Sequence, residues 1–181
     1  MDQRPPEDAY GQVTDAHRYH GLVDTAEQVI EALIATYQVE VKHGGAELDP
    51  KLCEGLPVDR VVQFEPGQDD AAPLTIVLTT FPGVALRAGR WQTALYPACG
   101  CDACDELPDE LAEDLARVMH AVAAGQLLEE LSGGIDPHLT ISLSDDQGPL
   151  GTQHGPISRH EMKHKGGPAR LDWQPWPGRS G

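Results

Sequence analysis

Between positions 16 and 37, apolar residues recur at alternating intervals of three and four, the spacing that places side chains on one face of an α-helix. The members of this stripe are Ala16, Tyr19, Val23, Ala26, Ile30, Leu33 and Tyr37. Thr14 or Asp15 is predicted to cap the first turn, since a short side-chain oxygen accepts from its unpaired N–H groups. Gly44-Gly45 is predicted to end the helix, which would then have about six or seven turns.

Short extended segments dominate the stretch between residues 60 and 96. Each is rich in β-branched or aromatic residues, and turn residues such as Pro82-Gly83 separate them. The segments are 60–64, 74–80, 84–87 and 91–96. Because short strands joined by short turns pair as antiparallel neighbours, we expect a meander here.

A second helix is predicted to begin near Leu107-Pro108, because proline lacks an N–H that the first helical turn would leave unpaired. Its apolar side is predicted to continue to Leu131, with Gly133-Gly134 as the stop. There follow a predicted strand at 138–143, a polar loop at 144–156, a short helix at 158–165 and an extended piece at 171–173. This order favours an α+β fold, an antiparallel sheet of about four to six strands with two main helices packed on one face.

A chain of 181 residues is long enough for one domain to bury its own core. We expect residues 1–13 to form a flexible lead, 14–177 a single α+β domain and 178–181 a flexible tail. The start lacks the basic-then-apolar pattern of a signal peptide, and no window approaches the run of about 18 apolar residues typical of a transmembrane helix. We therefore expect a cytoplasmic protein with reduced cysteines.

The net charge of the chain limits the kinds of molecule that it is expected to bind. Aspartate and glutamate number 29 against 13 lysines and arginines, which gives a formal net charge of −16. Such a surface repels phosphate groups, which argues against binding to nucleic acid or to anionic membranes. It suits a basic partner protein, such as a toxin or a regulator, and this hypothesis rests on the charge alone. The sequence leaves the oligomeric state open.

Three of the four cysteines lie within six residues, Cys99, Cys101 and Cys104. Zinc prefers soft ligands that converge on one point, and small residues between the cysteines allow neighbouring sulfurs to converge. The acidic residues at 102, 105 and 106 suit a bound cation better than a free thiolate. The pattern therefore predicts a structural Zn²⁺ site whose fourth ligand is unknown. The candidates are Cys53, His43, His120, His138 and Asp105.

Two other interpretations of the same cysteines stay open. The thiols can pack a turn without any metal, because free cysteine is a common small buried residue. Alternatively, Cys101 and Cys104 form a C-x-x-C pair that can act as a dithiol redox sensor.

The string His160-Glu161-Met162-Lys163-His164 matches the H-E-x-x-H pattern of zinc hydrolases, in which two histidines hold a metal and the glutamate activates its water. Pro156 and Gly166-Gly167 bound this helix closely, and it offers few apolar residues. Ser158 and Glu161 also form the S-x-x-E pattern of a capping box, which we prefer. A zinc-dependent hydrolase that uses His160, Glu161 and His164 is the alternative function.

Several motifs together resemble a known family. They are F-P-G at 81–83, G-R-W at 89–91, Y-P-A-C-G-C-D-A-C-D-E at 96–106 and W-Q-P-W-P at 173–177. Over about residues 20–177 the chain resembles an actinobacterial family of small acidic proteins of unknown function. The resemblance implies a compact cytoplasmic bacterial domain, and it brings no catalytic residues.

The sequence therefore favours a non-catalytic protein-binding or regulatory module with a structural zinc–thiolate site. Zinc is its one expected cofactor, and no catalytic residue is assigned.

Overall fold

The computed structural model describes residues 10–44, 55, 57–104 and 106–179. A short 3-10 helix, Ala16–Tyr19, leads into α1 (His20–Thr36). The other helices are α2 (Pro108–Ala123) and α3 (Arg159–His164). The strands are β1 (Glu40–His43), β2 (Val58–Glu65), β3 (Leu74–Thr79), β4 (Val84–Ala88), β5 (Gln92–Tyr96), β6 (Leu127–Leu131), β7 (His138–Asp145), β8 (Gly148–Pro156) and β9 (Ala169–Asp172).

The described strands form two antiparallel sheets, and the α+β class is confirmed. The first sheet has the order β1-β2-β3-β4-β5, a simple meander, and the second has the order β8-β7-β6-β9. The sequence suggested one sheet. The helix α2 separates β5 from β6 in the chain, and β6 pairs with β7 and β9 and not with the first sheet.

One hydrophobic cluster joins both helices to both sheets. Its members on α1 and α2 include Leu22, Leu33, Leu115 and Met119, all fully buried. Phe64 and Ile76 face it from the first sheet, and Leu127 and Ile141 from the second. The opposite face of the first sheet carries a smaller apolar row of Val61, Val77 and Ala85, with Leu95 packed against it.

The prediction of one long helix from residue 14 to residue 44 is wrong at both ends. The α-helix ends at Thr36, and Glu40–His43 pairs with β2 as an edge strand. Polar and apolar residues alternate from Tyr37 to Val41, a period of two that suits a strand, and the edge of β2 supplies the pairing partner. Neither predicted cap acts at the start, since Asp15 makes no capping hydrogen bond and Thr14 binds Asp102.

The second helix begins at Pro108 as predicted, but it ends at Ala123 and not near Leu131. Gly125 explains the stop, because its φ is +72° and a Cβ there would lie 2.3 Å from the Pro175 nitrogen. After this turn, Leu127–Leu131 alternates between buried and half-buried positions as β6. The predicted polar loop at 144–156 is also mostly a strand, because β8 pairs with β7 through its backbone, for which apolar side chains are not needed.

A buried carboxylate joins the two sheets. Glu129 of β6 is 0% exposed and accepts hydrogen bonds from the backbone N–H groups of Arg90, Trp91 and Gln92 at 2.8, 2.6 and 2.8 Å. The indole Nε1 of Trp173 donates a fourth bond at 2.8 Å. Four donors therefore replace the water that a buried carboxylate loses.

We predict that Glu129→Gln lowers the free energy of unfolding by about 3 kcal/mol, because the amide NH₂ would face N–H donors that need an acceptor. Equilibrium urea unfolding measures the change. Glu130→Gln is the matched control on the same strand, since Glu130 is partly exposed and its ion pair with Arg170 should contribute at most about 1 kcal/mol. Equal losses in the two variants would contradict the assigned role of Glu129.

Candidate metal centre

The three clustered cysteines lie on the turn that connects β5 to α2. Their sulfurs converge: Cys99 Sγ lies 3.1 Å from Cys101 Sγ, which lies 3.4 Å from Cys104 Sγ. All three sulfurs lie within 4.8 Å of one another. A tetrahedral zinc site with Zn–S bonds of about 2.3 Å spaces its sulfurs about 3.8 Å apart. Shifts of a few tenths of an ångström in the side chains would therefore bring these sulfurs to that spacing.

Glu106 holds the first half of the turn. Its carboxylate accepts from the backbone N–H groups of Ala98, Cys99 and Gly100 at 3.0, 3.1 and 2.9 Å. Partial burial works to raise the pKa of Glu106, but these three donors and the nearby Arg18 guanidinium bring it below its usual range. The carboxylate thus fixes the backbone that carries Cys99 and Cys101.

Asp102 ties the turn to the N-terminal segment. Its carboxylate accepts from the Thr14 hydroxyl and from the Thr14 N–H at 3.0 Å, and its own N–H donates to the Gln12 carbonyl at 2.8 Å. The Thr14 hydroxyl, followed by the Thr14 N–H, lowers the pKa of Asp102. Asp102 and Glu106 therefore accept hydrogen bonds from backbone N–H groups. The sequence prediction that they favour a bound cation considered their negative charge alone and missed this structural role.

The cysteines differ in their surroundings. Cys101 is buried, while Cys99 and Cys104 are exposed. A backbone hydrogen bond from Gly11, followed by the thiols of Cys99 and Cys104, lowers the pKa of Cys101 to about 6. Hydrogen bonds with Cys99 and then Cys101 raise the pKa of Cys104. One sulfur is therefore set up to be a thiolate, the form that binds metal.

Three of the candidate fourth ligands lie elsewhere. Within the described part of the chain, no other His, Cys, Asp or Glu joins the three sulfurs within 4.8 Å, so His43, His120 and His138 are not part of the cluster. His138 instead bonds the Asp136 carbonyl at 2.8 Å and stacks on His154. Cys53 and Asp105 lie outside the described residues. The sequence left these candidates open because a distant ligand is chosen by chain folding and not by spacing.

The H-E-x-x-H string forms the short helix α3 on the surface. His160 and His164 are exposed, and their Nε2 atoms lie 3.1 Å apart. Ser158 Oγ accepts from the Glu161 N–H at 3.0 Å, so the serine half of the predicted capping box is present. Among residues that the structure describes, no third ligand joins the two histidines. The zinc-hydrolase alternative has no further support from these residues.

An apolar cleft of about 330 Å³ lies beside the cysteine turn, and sequence reasoning missed it. Cys99 lies at its edge, and Val13, Phe81, Val84 and Leu95 contribute to its walls. Val13 belongs to the segment that the sequence predicted to be a flexible lead. The one sign of this role in the sequence is that Val13 is an apolar residue next to Thr14, and this sign is too weak to identify a site.

The chain belongs to the family of unknown function DUF6226, whose family model matches residues 1–180. The comparison with curated proteins and the comparison with solved structures each gave no match. None of the helices in the described part of the chain is both long enough and apolar enough to cross a membrane.

We predict that stability falls as the pH drops below about 4, because Asp102 and Glu106 have folded-state pKa values below those of the unfolded chain. The two carboxylates contribute to the free energy of unfolding when the pH is above their pKa in the unfolded chain. This contribution is lost as the pH falls through their pKa in the folded protein. Thermal unfolding between pH 7 and 2.5 measures this. Glu106→Gln and Asp102→Asn should each lower Tm at pH 7 and flatten the acid decline, whereas Glu31→Gln, at an exposed position inside α1, should do neither. Declines as steep as that of the native chain in both turn variants would contradict the assignment.

Proposed function

We propose that the protein is a non-catalytic regulatory or protein-binding module and that Cys99, Cys101 and Cys104 hold a structural zinc ion. The observation that carries the metal proposal is the convergence of three sulfurs on one turn. Thiolates are soft ligands, and among common cellular metals they favour zinc in tetrahedral sites.

The surroundings of the turn support a structural role for the ion. Three thiolates and one Zn²⁺ carry a net charge of −1, and the Gly11 N–H already donates to the Cys101 sulfur. The Arg18 guanidinium acts on both Asp102 and Glu106, so positive charge lies close to the turn. A metal there would fix the segment from Gly11 to Thr14, the end of β5 and the start of α2 in one corner.

A non-catalytic role is supported by the cleft next to the cysteines. None of the described residues that line it has a carboxylate, imidazole, ammonium or guanidinium side chain. General acid–base catalysis needs a positioned proton donor or acceptor next to the reacting group. The described lining provides no acid–base pair of that kind.

We expect about one zinc per chain in protein purified under reducing conditions without chelators, measured by elemental analysis. Cys101→Ser should lower the zinc content at least tenfold, because it removes the buried ligand. Removal of zinc should also lower Tm if the ion holds the corner together.

Cys53→Ser serves as a matched cysteine substitution. Loss of zinc in this variant identifies Cys53 as the fourth ligand, and unchanged zinc places the fourth ligand elsewhere. A zinc content well below one per chain in the native protein would overturn the metal proposal. A reversible loss of two thiols on oxidation, as Cys101 and Cys104 form a disulfide and release two electrons and two protons to the oxidant, would then favour the redox sensor.

We also propose that the acidic surface binds a basic protein. With a net charge of −16, the chain attracts positive partners at long range. Exposed carboxylates line one face of α1 at Asp24, Glu27 and Glu31, and others lie at the start of α2 at Asp109 and Glu110. Arg60 lies 2.7 Å from Glu27 and neutralises the charge of that one carboxylate.

A pull-down at low and high salt tests the partner. We expect a basic protein that is retained at about 0.05 M salt and released at 0.5 M, because the Debye length falls several-fold over this range. The double variant Asp24→Lys with Glu31→Lys should weaken retention. The control Asp136→Lys with Asp172→Lys makes the same charge change on the second sheet and its loop. Binding that is indifferent to salt would contradict an electrostatic partner.

A further inference from the structure

The cleft beside the cysteine turn is lined by residues from both faces of the first sheet, with Val84 and Tyr96 from the face that packs on the helices and Ala85 and Leu95 from the opposite face. Val61, Val77, Ala85 and Leu95 are register partners across β2, β3, β4 and β5, so they form one straight apolar row on that face. Ala85 and Leu95 end this row in the wall of the cleft. The β3–β4 turn adds Phe81 and Gly83, and the start of the cysteine turn adds Pro97, Ala98 and Cys99.

The two side-chain hydroxyls of the described lining are already paired. The Thr79 hydroxyl is bonded to the Phe81 and Gly83 carbonyls. The Tyr96 hydroxyl donates to Asp114 of α2 at 2.9 Å and is therefore directed toward the helix layer. The described lining includes no Asp, Glu, Lys, Arg or His. An ion would lose its hydration there without gaining a charged side-chain partner from the described lining, whereas an apolar molecule has little hydration to lose.

The size of the cleft limits the class of occupant. A volume of about 330 Å³ falls at the lower end of the range for small-molecule sites, roughly 300–1,000 Å³. A protein interface needs a patch of about 800 Å² on each partner, which is much larger than this depression. These dimensions suit a small molecule better than a protein surface.

One wall depends on the cysteine turn. Val13 is 42% exposed and lies between Gln12 and Thr14, the two residues that hydrogen-bond to Asp102. The turn thus supplies Ala98 and Cys99 directly and holds Val13 in place through Asp102. A ligand that contacts both sides would stabilise this arrangement.

We propose that this cleft is a binding site for a small, uncharged, largely apolar molecule, with Val13 in one wall and Ala98 at its mouth. The site is separate from the metal centre, since the residues that form it need no bound ion. If the protein has the proposed regulatory role, a ligand bound here would change the turn that carries the cysteines, because the ligand contacts that turn.

Titration with 2-naphthalenemethanol, an uncharged probe, followed by ¹H–¹⁵N spectra of the full chain, tests the proposal. We expect saturable shifts that concentrate on the amides of Gly83, Leu95 and Cys99. The anionic counterpart 2-naphthoate should bind at least tenfold more weakly, because its carboxylate finds no partner in the lining. Shifts that do not saturate or that cluster elsewhere, or equal affinity for the two probes, would overturn the proposal.

Two variants at exposed positions keep the test independent of folding. Val13→Asp places a charge in the wall, and Ala98→Trp fills the mouth, so each should weaken the uncharged probe at least tenfold. Ile135→Asp is the control, since Ile135 is 82% exposed and does not line the cleft. Unchanged affinity in both cleft variants would overturn the proposal.

Zinc content measured on the same samples separates this site from the metal centre. Protein that lacks zinc but binds the probe in the cleft supports the ligand site and overturns the metal proposal. Protein that holds zinc but binds no probe supports the metal proposal and overturns the ligand site.

Discussion

The hydrogen bonds of the Glu129 carboxylate constrain the whole arrangement. Three consecutive backbone N–H groups after β4 and the Trp173 indole converge on one buried side chain of the second sheet. Gly89 permits the approach, because a Cβ there would lie 2.5 Å from Glu129 Oε2 and its φ of +55° suits glycine. The β4–β5 turn, β6 and the segment after β9 are therefore fixed relative to one another. Since α2 connects β5 to β6, the start of α2 and the cysteine turn are positioned by the same contact.

The same chemistry recurs at the cysteine turn. Glu106 and Asp102 each accept from backbone N–H groups, just as Glu129 does. The acidic character of the chain is therefore partly structural, because some carboxylates fix loops that glycine and short side chains leave adaptable. Carboxylates used in this way need no lysine or arginine partner, which is consistent with a chain that has 29 acidic and 13 basic residues. The carboxylates that remain exposed on α1 and α2 are the ones that the proposed basic partner would contact.

The cysteine turn and the apolar cleft share Ala98 and Cys99, so the proposed metal and the proposed ligand would act on the same segment of the chain. A metal on the sulfurs would rigidify the backbone of residues 98–104, and a ligand in the cleft would contact Ala98 and Cys99 of that backbone. Two ligands that order the same segment help each other bind, since the entropy lost on ordering is then lost only once. The C-terminal motif has a different role, because Trp173 binds Glu129 and the buried Trp176 donates to the Ala72 carbonyl at 2.7 Å. Those tryptophans stabilise the core.

Local patterns determined much of this protein. The alternation in 60–96 predicted strands β2 to β5, proline placed the start of α2, Ser158 placed the start of α3, and the close spacing of Cys99, Cys101 and Cys104 predicted that their sulfurs converge. Each of these depends on interactions between residues a few positions apart, which a sequence records directly. The tertiary structure decided the rest. It ended α1 at Thr36 because β2 offers an edge to residues 40–43, and it made residues 127–131 a strand that pairs with β7 and β9. It also buried Glu129, a residue that a helical interpretation would have placed on the surface, and it brought Val13 beside Leu95 in one cleft. These outcomes require partners that are distant in the chain, and no local spacing encodes which distant partner a segment meets.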